Sequence, residues 1–201
     1  MLSHQINIFP CRVTYTDLEI DNEQIKNFVL NLQQKQKTRQ VSNINGWQSN
    51  DIPLDTKEIQ PLLTSILKCC KTYGEELNFK PQSTIVIDNI WANVNGYKDC
   101  NDLHTHPNVM MSGVYYVNCP TDCGAIQFRH PSTSMEYDWG WYKFEKFTEA
   151  NCFEYWVPPI EKRLYIFPSW LSHKVQPNMN KEEKRISLSF NAQLGLKKWK
   201  Y

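Results

Sequence analysis

The chain has 201 residues, 22 Lys and Arg against 21 Asp and Glu, and a formal net charge of +1. Hydrophobic residues make up 41% and aromatics 13%, enough to bury a core, so a disordered or fibrous chain is excluded. The near-neutral charge without a long basic run leaves no footprint for nucleic acid, and no apolar run has the length of a membrane-spanning helix.

The N-terminus shows neither a basic start nor an apolar stretch, so no secretory signal is read there. The seven cysteines (11, 69, 70, 100, 119, 123 and 152) are odd in number and include no Cys-x-x-Cys pair. That argues for reduced thiols in a cytoplasmic protein over a disulfide framework or a zinc ribbon.

In chain order, 6–14 reads as a short strand. A helix then opens at Asp21-Asn22-Glu23 and runs to about residue 38, with Ile25, Phe28, Val29 and Leu32 on its apolar face. The polar stretch 38–55 reads as loop, and a second helix spans about 57–77 with Ile59, Leu62, Leu63, Ile66 and Cys70 at helical spacing. From residue 84 the period changes to that of strands: 84–94, 101–106, 111–118, 124–129, 153–157, 163–167, 171–176 and 184–192. Helices followed by many short strands predict one α+β domain. Its 1–78 portion buttresses a β-sandwich, jelly roll or small barrel over 84–195. Residues 132–150, with aromatics crowded at 137–144, form a lid or an insert.

The chemistry concentrates in the β region, which holds His104, His106, His130 and His173 but not His4. Residues i and i+2 of a strand share a face, so His104 and His106 can point into one cavity as half of an open metal site, or stand as a solvated pair. In KRISLSFN, Arg185, Ser187, Ser189 and Asn191 alternate with Ile186, Leu188 and Phe190, giving one polar and one apolar face. The polar face either meets solvent or lines a wet cavity, where an arginine fork suits a carboxylate. His130 lies at the cavity mouth or on the surface. Trp91, Trp139, Trp141 and Trp170 build a substrate floor or pack in the core.

Together HTHPNVMMSGVYYVN, FPSWLSHKVQPN and KRISLSFN, in that order, resemble the 2OG-Fe(II) oxygenase family known from marine bacteria and their phages, within the prolyl-hydroxylase-like dioxygenases. Phe9-Pro10 and GWQS at 46–49 look like that family as well. The resemblance covers roughly 84–195 and implies a double-stranded β-helix (jelly roll, cupin-like) that uses Fe(II), 2-oxoglutarate as cosubstrate and O₂ to hydroxylate a small-molecule or peptide C–H bond. It places His104 and His173 on the iron-ligating histidines, Arg185 on the residue that pairs with the distal carboxylate of 2-oxoglutarate, and Ser187 beside it. Ser112 and Tyr116 match cosubstrate-contacting positions, and Asn93 does so more weakly.

The departure is His106, where most of the superfamily has Asp or Glu. A third histidine can ligate Fe(II) at the loss of one negative charge; Asp102 on the same strand face, or an open third position, are the alternatives, with Asn108 a poorer candidate. Three other functions stand beside the dioxygenase reading. These are a three-histidine cupin-like metalloenzyme that uses no 2-oxoglutarate, a nucleic-acid demethylase disfavoured by the charge, and a non-catalytic jelly-roll binding protein.

Overall fold

The computed structural model describes residues 4, 6–80 and 83–195. Its elements are β1 (Thr14–Asp17), α1 (Asn22–Lys35), β2 (Asn43–Ile44), β3 (Trp47–Gln48), α2 (Gln60–Glu76), β4 (Thr84–Asn95), β5 (Cys100–His104), β6 (Met111–Asn118), β7 (Ile126–Arg129), α3 (Thr133–Trp139), β8 (Glu154–Val157), β9 (Arg163–Pro168), β10 (His173–Val175) and β11 (Arg185–Gly195). They build two antiparallel sheets, a larger one in the order β1-β9-β6-β11-β4-β3 and a smaller one in the order β2-β5-β10-β7-β8. The result is the expected mixture of N-terminal helices and jelly-roll sheets. No helix among the described residues is long and apolar enough to cross a membrane.

The large sheet owes its position to strand alternation. Ile186, Leu188 and Phe190 of β11 join Ile90, Ala92 and Val94 of β4 in one core, and Ile25 and Val29 of α1 with Leu62, Ile66 and Cys70 of α2 close that core from outside. Burial of these aliphatics is the main stabilising term. Asp21 caps α1, its carboxylate accepting from the amides of Glu23 (3.0 Å) and Gln24 (3.4 Å). The opposite face of the same strands turns toward the small sheet, where Val114, Tyr116, Ile126, Phe128, Tyr165 and Phe167 form a second cluster.

Three sequence expectations are corrected. Residues 6–13 form no strand; pairing begins only at Thr14, because Pro10 has no amide to offer a ladder and Phe9 sits at φ 58°, in the left-handed region. The stretch 38–55 is not all loop: the Asn45-Gly46 turn folds β2 and β3 back as a hairpin that joins both sheets, pairing β2 with β5 and β3 with β4. The strand predicted over 101–106 ends at His104, so His106 lies beyond it, in the turn. Residues 132–150 lie between β7 and β8, and the aromatic run contributes the short helix α3, with Tyr137, Trp141 and Tyr142 strongly exposed.

Candidate active site

Two of the three imidazoles meet through sheet register. His173, at the start of β10, lies directly opposite His104, at the end of β5, so their side chains leave the same face of the small sheet as a cross-strand pair. His106 comes from the following turn, which is tied down by its amide bonding the Ser169 carbonyl (2.9 Å). The ring centroids stand 4.4 Å apart for His104–His173, 5.0 Å for His104–His106 and 5.1 Å for His106–His173. One nitrogen from each can be chosen so that all lie within 4.8 Å of one another, the spacing of a shared metal ion.

The second nitrogens fix the tautomers. Nδ1 of His104 faces the Asp102 carbonyl at 2.7 Å, and Nδ1 of His173 faces the Leu171 carbonyl at 2.8 Å. A carbonyl only accepts, so Nδ1 carries the hydrogen in both rings and each Nε2 keeps its lone pair for a ligand. Burial holds all three below the usual histidine range: His104 is lowered, His106 falls to about 4, and His173 to about 3, with its neighbour His104 adding to the effect. They are therefore neutral at pH 7, the state in which imidazole binds metal. Trp91 of β4 covers His106 (5.7 Å between centroids), and Phe167 packs edge-on to His173 at 4.7 Å.

Asp102 does not join the cluster. Its carboxylate accepts from the Leu103 amide (2.7 Å) and only its carbonyl serves His104. Asn108 sits exposed in the turn at φ 65°.

The polar face of β11 is turned inward. Arg185 is 1% exposed, and its Nη1 donates to the carbonyls of Cys123, Gly124 (3.2 Å) and Gln176 (3.1 Å), while its Nη2 is buried without a partner. No acid forms an ion pair with it among the described residues, although a buried cation without a counter-charge is costly. Gly124 is what lets the carbonyl cage close: it sits at φ +81°, and a Cβ there would lie 2.4 Å from the Gln176 oxygen.

Ser187 follows on the same face and is flanked in register by Tyr116 of β6 and Asn93 of β4. Asn93 donates to Ser189 (3.1 Å), and its own oxygen is buried without a partner. Gln48 of β3, next to Asn93 in register, also has an unpartnered buried oxygen. Burial, as the largest influence, pushes the Tyr116 phenol far up, so it stays protonated and can donate. Arg185, Ser187, Tyr116 and Asn93 line the same cavity as the three histidines. Ser112 lies farther from Arg185 on that face, where its hydroxyl donates to Asn191 (2.7 Å), which in turn donates to Asn89 (2.9 Å).

The other candidates lie elsewhere. His130 accepts the Ser132 amide at 3.1 Å. Two further arginines of the β region are spent on acids away from the site: Arg129 pairs with Glu136, and Arg163 forms a two-pronged bridge to Asp17 (2.6 and 2.7 Å). Trp91 lines the cavity, whereas Trp139, Trp141 and Trp170 are exposed. Sequence reasoning missed the three-carbonyl cage, which is backbone and leaves no side-chain signature. Trp91, read from the sequence as floor or core, packs against His106, a contact that the alternation Asn89, Trp91, Asn93, Asn95 does not itself specify.

Residues 89–191 match the sequence model of a family described as "Putative 2OG-Fe(II) oxygenase". No curated protein matches the chain. Among solved structures, a prolyl-4-hydroxylase from Pseudomonas putida superposes with a TM-score of 0.60 at 13% identity, over 91% of this chain and 93% of that one. A Trichoplax adhaerens prolyl hydroxylase, solved with a hypoxia-inducible-factor peptide, gives 0.61 at 15% identity, over 90% and 83%. HygX from Streptomyces hygroscopicus, solved with nickel and 2-oxoglutarate, gives 0.57 at 8% identity, over 90% and 82%. At such identities the structural likeness establishes the fold.

Proposed function

The chain belongs to the 2OG-Fe(II) oxygenase family, and from that premise we propose that His104, His106 and His173 hold the iron while Arg185 receives the far carboxylate of 2-oxoglutarate. The observation that carries this reading is Arg185, a fully buried guanidinium with one unpartnered nitrogen, on the wall of the cavity that holds the three imidazoles. The donor set fits the cofactor: three neutral nitrogens bind Fe(II), and a carboxylate supplies the counter-charge that Arg185 lacks. Bound Fe(II), with 2-oxoglutarate and O₂, supplies oxidative decarboxylation coupled to hydroxylation of a C–H bond.

The chain's own groups orient and shield. The Asp102 and Leu171 carbonyls hold two imidazoles in the ligating tautomer. The Tyr116 and Ser187 hydroxyls, beside Arg185, donate to the same carboxylate, and Asn93 closes that row. Val114, Ile126 and Phe167 keep water from the cavity between carboxylate and metal, which strengthens each of these bonds. Ser112, bonded to Asn191, is not among the residues that line the cavity.

One domain carries the whole arrangement in this reading, with 1–78 as its buttress and 132–150 as a lid or an insert. The substrate is a peptide or a small molecule. Since both prolyl hydroxylases named above share this fold, peptidyl C–H bonds are the first class to screen. The test is succinate release from 2-oxoglutarate in air by iron-loaded protein. Formation above an enzyme-free control, stimulated by a substrate in the panel, is the expected result; none above the control overturns the reading.

A further inference from the structure

The stretch Gly46-Trp47-Gln48-Ser49 carries β3, an edge strand of the large sheet, and three of its residues serve the fold. The Gly46 carbonyl accepts from Asn43 Nδ2 (2.7 Å), and a Cβ at Gly46 would lie 2.5 Å from the Asn95 carboxamide nitrogen. Trp47 is buried in the core, its Nε1 donating to the Gln36 carbonyl (3.0 Å). The Ser49 hydroxyl accepts from the Ala92 amide (2.9 Å).

Gln48 differs. Its backbone is pinned, the amide donating to the Thr38 hydroxyl (3.1 Å) and the carbonyl accepting from the Arg39 amide (2.8 Å). The residue is 4% exposed, yet its side-chain oxygen has no partner. Asn93, its register partner on β4, is 6% exposed, and its Oδ1 is likewise unpartnered. Partners in an antiparallel pair leave the same face of the sheet with Cβ atoms roughly 5 Å apart, so two orphaned acceptors adjoin. Each is costly to bury without a donor.

Asn93 can resolve both. Its Nδ2 donates to the Ser189 hydroxyl (3.1 Å). A hydroxyl donates as well as accepts, so the bond to Ser189 survives a half-turn of the carboxamide, with Ser189 then donating to Oδ1. The half-turn gives Oδ1 its partner and puts the two Nδ2 hydrogens where that oxygen had been.

We propose that Gln48 is a positioning residue for the cosubstrate: its side-chain oxygen takes one Nδ2 hydrogen of the turned Asn93, and the other hydrogen is thereby aimed at the carboxylate beside Arg185 and Ser187. The proposal rests on the reading of Arg185 as the cosubstrate's carboxylate site. Asn93 lines the cavity with Arg185 and Ser187, and Ser187 is its register partner on β11. A carboxylate only accepts, so the N–H end of Asn93 serves it and the oxygen end does not. Gln48 is not among the residues that line the cavity, so its effect on the cosubstrate passes through Asn93.

The test is a double-mutant cycle of Gln48→Met and Asn93→Ala, read by calorimetry of 2-oxoglutarate with Mn(II) in place of iron. Methionine keeps the length of the side chain and removes the strong acceptor. Gln48→Met is expected to weaken 2-oxoglutarate binding roughly fivefold and Asn93→Ala roughly tenfold or more. The double variant is expected to match Asn93→Ala within about twofold, because Gln48 has nothing to position once the carboxamide is gone. Mn(II) affinity without 2-oxoglutarate is expected to stay at the parent's value in all three. Gln48→Met is also expected to melt no lower than the parent in the absence of 2-oxoglutarate, since the oxygen it removes has no partner in the fold.

Unchanged 2-oxoglutarate affinity in Gln48→Met overturns the proposal, and so do losses that multiply in the double variant. A Gln48→Met protein that melts well below the parent and loses Mn(II) affinity makes Gln48 a structural residue and overturns it as well. Parent protein that binds Mn(II) but no 2-oxoglutarate overturns the cosubstrate reading itself, and the proposal with it.

Discussion

Arg185→Ala is expected to weaken 2-oxoglutarate binding by roughly a hundredfold or more, because it removes a desolvated charge whose partner carboxylate is then buried alone. The guanidinium divides its work: Nη1 is spent on three backbone carbonyls, and Nη2 is the nitrogen left for a ligand. Arg185→Lys is expected to rescue little, since one ammonium on a flexible stem cannot span both the cage and the carboxylate. Calorimetry with Mn(II) reads the effect. Metal binding without 2-oxoglutarate is expected to stay within about twofold of the parent in both variants, because Arg185 lies on the large sheet and the histidines on or beside the small one. Equal 2-oxoglutarate affinity in parent and Arg185→Ala would contradict the assignment.

The second large effect concerns the ligands. His173→Ala and His106→Ala are each expected to lower Fe(II) affinity by at least about a hundredfold, more than the loss of an outer partner to a ligand produces. His106→Asp is expected to retain a three-donor set and bind iron at least as well as the parent, since it adds a negative charge beside the metal. If His106→Ala binds iron normally, the third ligand is not at 106. The pH dependence follows from the same burial. His106 and His173 stay neutral down to about 4 and about 3, so metal uptake at pH 7 displaces no proton from them. Affinity is then expected to persist to lower pH than with ordinary histidines, which compete below about 6.5, to weaken first as His104, which is also lowered, takes up its proton, and to be lost as pH drops through about 4. Calorimetry in buffers of different ionisation enthalpy counts the protons.

Much of this was legible in the chain. Periodicity located α1, α2 and most of the strands of the β region, because apolar positions there repeat at the spacing of the face they bury. The alternation of Arg185, Ser187 and Ser189 with Ile186, Leu188 and Phe190 showed two faces but not which was inside. Only the helices packed on the apolar face, with Ile25, Val29, Leu62 and Ile66, decide that. The pairing of His104 with His173 is a matter of register between strands nearly seventy residues apart in sequence, which no local pattern encodes. Residues 6–14 misled because their β-branched and aromatic content is that of a strand, while Phe9 and Pro10 deny it a partner. The grip on Arg185 escaped notice because it is made of carbonyls, which every residue has.

The most direct test of the central claim is an anaerobic Fe(II) titration of the reduced protein with and without 2-oxoglutarate, followed in the visible spectrum. The expected result is a weak metal-to-ligand charge-transfer band that needs both iron and 2-oxoglutarate, saturates at one equivalent of each and is lost in Arg185→Ala at the same concentrations. Stoichiometric iron binding with no such band at any 2-oxoglutarate concentration would contradict it.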